Sequence, residues 1–372
     1  MKGEEIHMSY NQVDPFSICF NMMKMRYVDY DESLTQKNFL APTDKVNLFI
    51  NLETVYKFLS MVTDLERRII SEREFNQIMI SNIINLAGHY KRFFNNNGLA
   101  TKVFLYSTDL SSNEFNQYKY NEDYRSYYLN KFNENPKFIL FTERMINDII
   151  PEVRTLIEFI PDIYFITGKN IEGSLIPYII ALCDKSRKNL IIGGELYDTQ
   201  YSTIPNFINH YFCKKNKVRH VESDVNGYIQ LLTSTPTPET DLKNEEKIYN
   251  NYSLYTTLIS VLGNRERSID KISGVGLKTL TNYINAGIDQ HIITQSTLSP
   301  EILGDLFHDA DIKQEFVSNY YCSNFVNMYD ELSEGEKTSV YNQIRDRSDI
   351  NSIERINATR FYHHPIILEG LF

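Results

Sequence analysis

Short apolar runs recur along the first half of the chain, and a helical pattern separates each from the next. The runs are VNLFI at 46–50, KVFLY at 102–106, IYFIT at 163–167 and NLII at 189–192. Each is too short for a core helix and rich in branched or aromatic side chains, as expected of a strand buried on both faces. Helical patterns lie at 52–65, 72–94, 142–160 and 171–183. Asn95-Asn96-Asn97-Gly98 breaks the second, Pro151 is expected to kink or break the third, and Pro177 lies inside the fourth. This alternation allows few folds, the simplest being an α/β fold with a mostly parallel sheet flanked by helices. Ligands of such sheets sit beyond the carboxyl ends of the strands, so the residues after each run are where chemistry is expected.

The chain has 372 residues, of which 42% are hydrophobic and 23% charged, enough to bury one large core or two. Its formal net charge of −10 excludes a surface that is basic overall and leaves room only for a local basic patch. Its four cysteines, Cys19, Cys183, Cys213 and Cys322, form no CxxC pair and read as reduced thiols. No apolar run is long enough to suggest a membrane span, and the N-terminus has early charges instead of a signal-peptide pattern. A cytoplasmic location is expected. Tyrosine (26) and phenylalanine (22) are abundant, which suggests an aromatic surface covered by partners. Frequent asparagine and isoleucine fit an AT-rich genome such as that of a phage or DNA virus, with a virion-associated location as the corollary.

The stretch GNRERSIDKISGVGLKTL, from Gly263 to Leu280, carries the most chemical information. Gly274 and Gly276 let a backbone approach a phosphate closely, and Lys278 and Thr279 open a helix whose first N–H groups face the anion. The pattern resembles the helix–three-turn–helix of the flap endonuclease and 5′-3′ exonuclease family, which reads approximately GDxSDNIxGVxGIGxKTA. Residues 263–279 align with it without a gap, matching at Gly263, Ile269, Gly274, Gly276, Lys278 and Thr279. The resemblance covers roughly residues 46–290. It implies a PIN-like (5′-nuclease) domain over 46–235 and a helix–three-turn–helix region over 236–298. An N-terminal extension (1–45) and a helical C-terminal region with a tail (299–372) flank them.

In that family, phosphodiester hydrolysis uses divalent metals held by converging carboxylates. Each position the resemblance implies can be read here. Asn51 stands where the first aspartate would follow the first strand. Tyr106 or Ser107 falls at the second position, with Asp109 close by. For EADD after the third strand the chain has Glu172-Gly173-Ser174-Leu175. For SGDxDxxQL after the fourth it has Gly193-Gly194-Glu195-Leu196-Tyr197-Asp198-Thr199-Gln200. The two hairpin aspartates are replaced by Asn264 and Arg267. Glu172 and Glu195 are thus the surviving carboxylates, enough for a weak cation site or merely solvated side chains.

The resemblance also gives Lys119 and Arg125 a steering role toward a nucleic-acid backbone, beside the reading of a tyrosine-rich exposed helix. The basic run at 213–219 reads as a solvated loop or a phosphate contact. The leading expectation is a pseudo-nuclease that binds DNA through the hairpin or assembles with viral or replication proteins, needing no cofactor. The alternative is an active Mg2+- or Mn2+-dependent 5′ nuclease with a rearranged set drawn from Asp109, Glu172, Glu195 and Asp198. A third reading keeps only the α/β scaffold and a chance hairpin.

Overall fold

The four apolar runs become neighbouring strands: β1 (Lys45–Asn51), β2 (Ala100–Tyr106), β3 (Ile163–Ile166) and β4 (Lys188–Gly194). The structure is a computed structural model. It describes residues 43–52, 72–109, 115–124, 143–194, 200–201, 204, 207–212, 218–221, 260–261, 263–264, 267–275, 307 and 309–344. Two further strands, β5 (Phe207–Phe212) and β6 (Val218–Val221), complete the order β3-β2-β1-β4-β5-β6. β1 pairs in parallel with β2 and β4, β2 with β3, and β4 with β5, while β6 runs antiparallel to β5. The chain steps outward from β1 in one direction and then returns to β1's other side with β4. The crevice of such a sheet opens at that reversal, beyond the carboxyl ends of β1 and β4.

Side chains alternate across the pleat and build two cores. Val46, Leu48, Ile50, Val103, Leu105 and Leu190 face α1 (Glu72–Asn96) and α2 (Ile150–Glu158). On the opposite face, Phe49, Phe104, Tyr106 and Ile191 meet α3 (Ile176–Cys183). The same core takes in side chains of α4 (Ala310–Ser323), α5 (Phe325–Asp330) and α6 (Glu334–Tyr341). It also contains Val261, Ile272 and Val275.

A row of rings crosses this second face. Tyr201, Phe207, Phe49, Phe104 and Tyr164 stack in succession at centroid distances of 4.6, 5.9, 5.2 and 5.1 Å. Such stacking adds to the apolar burial of each ring. Among the described residues these aromatic side chains build the interior, and Val326 is the exposed large hydrophobic side chain.

Pro151 stands where the helical run changes type. A π-helical turn at Met145–Ile149 runs into α2, and Pro151 lies in the first turn, where its missing N–H is not needed. Pro177 sits likewise at the start of α3, after a 3-10 turn at Gly173–Leu175. The helical expectation for 299–346 resolves into α4, α5 and α6, capped by Asp309, Asn324 and a Ser333–Glu336 capping box. The helix expected at 52–65, beyond Leu52, and the helix that Lys278 and Thr279 are expected to open lie outside the described residues.

Candidate functional site

Beyond the sheet's carboxyl end a tight hairpin begins at Gly263, whose φ of +77° lies in the left-handed region. A Cβ there would stand 2.6 Å from the Ile269 carbonyl oxygen and 2.8 Å from the Lys271 nitrogen, so only glycine fits. Asn264 N donates to Ile269 O at 2.8 Å, and Ile269 N donates back to Asn264 O at 3.0 Å. Arg267 N donates to Asn264 O at 3.1 Å, closing the turn. This geometry sends the Arg267 side chain inward.

The guanidinium of Arg267 meets the carboxylate of Glu172, with Nη2 3.4 Å from Oε1. Side-chain exposures are 8% and 2%, so the pair lies out of water. Arg267 Nη2 also donates to Ser174 Oγ at 3.3 Å, and Ser174 Oγ donates to Glu172 Oε1 at 3.4 Å. The Tyr124 hydroxyl donates to the other oxygen, Oε2, at 3.2 Å. A buried carboxylate without partners would cost several kcal/mol, and here a cation and two hydroxyls compensate it. Glu172 is therefore not a solvated carboxylate at a strand end.

Three strand ends converge on this cluster. Glu172 precedes the 3-10 turn that follows β3. Gly173 N donates to Thr108 Oγ1 at 3.0 Å, just past β2. A Cβ on Gly173 would lie 2.3 Å from Thr108 N, so glycine lets this turn rest against the end of β2. From beyond β4, the Tyr201 hydroxyl donates to the Ser174 carbonyl.

Asn51, at the end of β1, is buried and lies in register with Tyr106. Leu175 is part of the apolar core, so a hydrocarbon occupies one position where the resemblance implies a carboxylate. Asn264 belongs to the hairpin, and Asp109 is half-buried just past β2. Glu195, Tyr197, Asp198, Gly276, Lys278, Thr279 and Arg125 lie outside the described residues. Gly274 has φ +76° with open space around a hypothetical Cβ, so its backbone angle rather than crowding selects glycine. Among the described residues no group of three or more His, Cys, Asp or Glu could hold a metal ion.

The segment 115–124, which holds the Lys119 that the resemblance marks, also ties this site to its surroundings. Tyr124 reaches Glu172, and Asn121 Nδ2 donates to Ser268 O in the hairpin at 2.9 Å. Lys119, within a 3-10 turn (Asn116–Lys119), ion-pairs with Glu331 at 2.7 Å. Phe115, Tyr124, Ile269 and Cys322 form a small core beneath it. Burial, then the charge of Glu331, pushes the Cys322 thiol up to about 12, so it stays protonated and unreactive near neutral pH.

No protein-family model matches the chain, and no curated protein matches it. Solved structures do. A bacteriophage T5 protein co-crystallised with metal ions is 10% identical, with 84% of this chain and 99% of that one covered at a TM-score of 0.50. A complex of the bacteriophage T5 flap endonuclease pseudo-enzyme with product DNA and metal ions is 12% identical, with coverages of 80% and 97% and a TM-score of 0.48. The catalytic core of Rad2 in complex with DNA substrate is 12% identical, with coverages of 86% and 80% and a TM-score of 0.39. The order of the strands, the helices on both faces and the whole-length match to the T5 protein establish that this chain has the PIN-like fold of the flap endonucleases and 5′-3′ exonucleases.

Proposed function

We propose that the chain is a catalytically degenerate relative of the 5′ nucleases that binds nucleic acid without cutting it. The observation that carries this reading is the guanidinium of Arg267 ion-paired to Glu172 where the resemblance implies metal-bound carboxylates. The residues there do not fit a divalent cation. Both oxygens of Glu172 are engaged by donors, Leu175 is packed in the core, and a fixed positive charge stands beside the remaining carboxylate. Magnesium needs several oxygen ligands and sheds its water reluctantly, and a neighbouring arginine repels it.

Nucleic-acid contact is supported by the left-handed Gly274 turn and by the Lys278-Thr279 sequence that follows it. Contacts to the backbone alone give affinity without sequence preference, which suits a scaffold in replication or in a viral particle. A phage or DNA-virus setting and its replication partners belong to the same proposal, on the strength of composition.

The test is a labelled 5′-flap DNA titrated over a salt series with Mg2+ or Mn2+ present, scored for binding and cleavage together. Binding that weakens steeply with salt and leaves the DNA intact supports the reading. Metal-dependent cleavage overturns it in favour of a rearranged carboxylate set. Absence of binding at low salt removes nucleic acid as the partner.

A further inference from the structure

Two donors converge on a single oxygen far along the chain from the hairpin. Lys119 Nζ lies 2.7 Å from Glu331 Oε1, and the Tyr120 hydroxyl donates to the same atom. Lys119 Nζ also stands 4.8 Å from the centroid of the Tyr120 ring, and that ring stacks on Tyr321 at 4.7 Å with planes 13° apart. Glu331 arrives from the end of α5. Its second oxygen, Oε2, is buried and has no hydrogen-bond partner among the described residues. An anion thus fills the seat but is only half satisfied in it, which makes it displaceable.

The chemistry of the seat is that of a nucleic-acid subsite. An ammonium and a phenol aimed at one oxyanion suit a phosphate, and a ring pair beside them suits an adjoining base. The Lys119 side chain is 52% exposed, so a ligand can reach it. Burial acts to lower the Lys119 pKa, but its contacts with Glu331 and Tyr120 together outweigh this and raise it. Burial first, and then Glu331, raise that of Tyr120, so both groups remain donors. The segment continues to Asn121 and Tyr124, which touch the hairpin and Glu172, so a strand held here would run toward the candidate site.

We propose that Lys119, Tyr120 and Tyr321 form a seat for one phosphate and its neighbouring base of a single-stranded nucleic acid, and that Glu331 closes it in the free chain as an internal phosphate mimic. This rests on the nucleic-acid reading above. Binding would exchange the carboxylate for a phosphate, so the protein carries its own competitor.

The experiment titrates the full-length chain into fluorescent oligo-dT by anisotropy over a salt series. Glu331→Gln keeps the shape and removes the competing charge. It should bind about tenfold more tightly at low salt, with a salt slope steeper by about 0.7, one phosphate contact on a single strand. Glu334→Gln makes the same charge change on an exposed side chain and should bind as wild type does. Lys119→Gln added to Glu331→Gln should reverse the gain. Photocross-linking of a bromouracil oligonucleotide to the wild-type chain should map to Tyr120 or Tyr321, a readout that needs no variant. If the wild type binds but Glu331→Gln matches Glu334→Gln, or the cross-link maps elsewhere, the seat is overturned and the broader reading stands. If neither wild type nor Glu331→Gln binds at low salt, the nucleic-acid reading falls and the seat with it.

Discussion

The two ends of the parallel sheet each hold a buried arginine, and the two do different work. At the amino end, Arg187 precedes β4, and its Nη2 donates to the carbonyls of Val46 at 3.0 Å and Ala100 at 2.6 Å. Those carbonyls belong to the starts of β1 and β2, so the guanidinium laces three strands through neutral acceptors. Burial pushes its pKa below the ordinary value, and Asp184, Asp162 and Tyr164 oppose that shift. At the carboxyl end, Arg267 meets a full negative charge on Glu172. The first arginine serves architecture. The second neutralises a carboxylate at the place where an α/β fold of this topology puts its ligands, so it also decides what that place can bind.

The sharpest way to break the comparison is to orphan one charge at a time. Glu172→Leu leaves Arg267 buried without its counter-ion, and Arg267→Leu does the reverse. Each should cost about 3–5 kcal/mol in denaturant unfolding. The double substitution should recover most of that loss, because an apolar pair of similar size replaces a buried ion pair at little cost. Costs that simply add would mean the two side chains do not act as a pair.

At the other end, Arg187→Met should cost about 2–3 kcal/mol by leaving two strand carbonyls short of a donor. Combined with Arg267→Leu its effect should add to within about 0.5 kcal/mol, since the two sites share no partner. Gly263→Ala, which forces a Cβ onto the Ile269 carbonyl at a positive φ, should cost about 2 kcal/mol and loosen the hairpin that aims Arg267. The smallest effect belongs to the partly exposed Lys188–Asp44 pair at the amino end, 2.6 Å apart. Lys188→Ala should change stability by about 0.5 kcal/mol, an effect that fades in high salt, whereas the Glu172–Arg267 coupling should persist.

Which features were readable from the sequence follows from the same physics. β1 to β4 were readable because strands buried on both faces need unbroken apolar runs. β5 and β6 are not: FINHYF mixes polar and apolar residues, and VRHV overlaps the basic run at 213–219. Arg267 is legible as foreign to a metal site, but its pairing with Glu172, 95 residues away, depends on Gly263 turning the chain inward. Tyr124 and Tyr201 complete the cluster from segments with no spacing signal, because a hydroxyl reaching across a fold leaves no local trace. Phenylalanine and tyrosine counts alone do not place any ring, since composition does not distinguish a ring stacked across a sheet, such as Phe49, from one facing water.

An internal cation, the guanidinium of Arg267, stands where the resemblance implies an external one. Titrating the full-length chain with Mn2+ and following the free-ion electron paramagnetic resonance signal tests it directly. An undiminished signal is expected up to about millimolar Mn2+, because among the described residues both oxygens of Glu172 are engaged by donors and no group of three or more such ligands could hold the ion. Stoichiometric loss of the signal at micromolar Mn2+, abolished by Glu172→Gln, would show that Glu172 still serves a metal and would contradict the account.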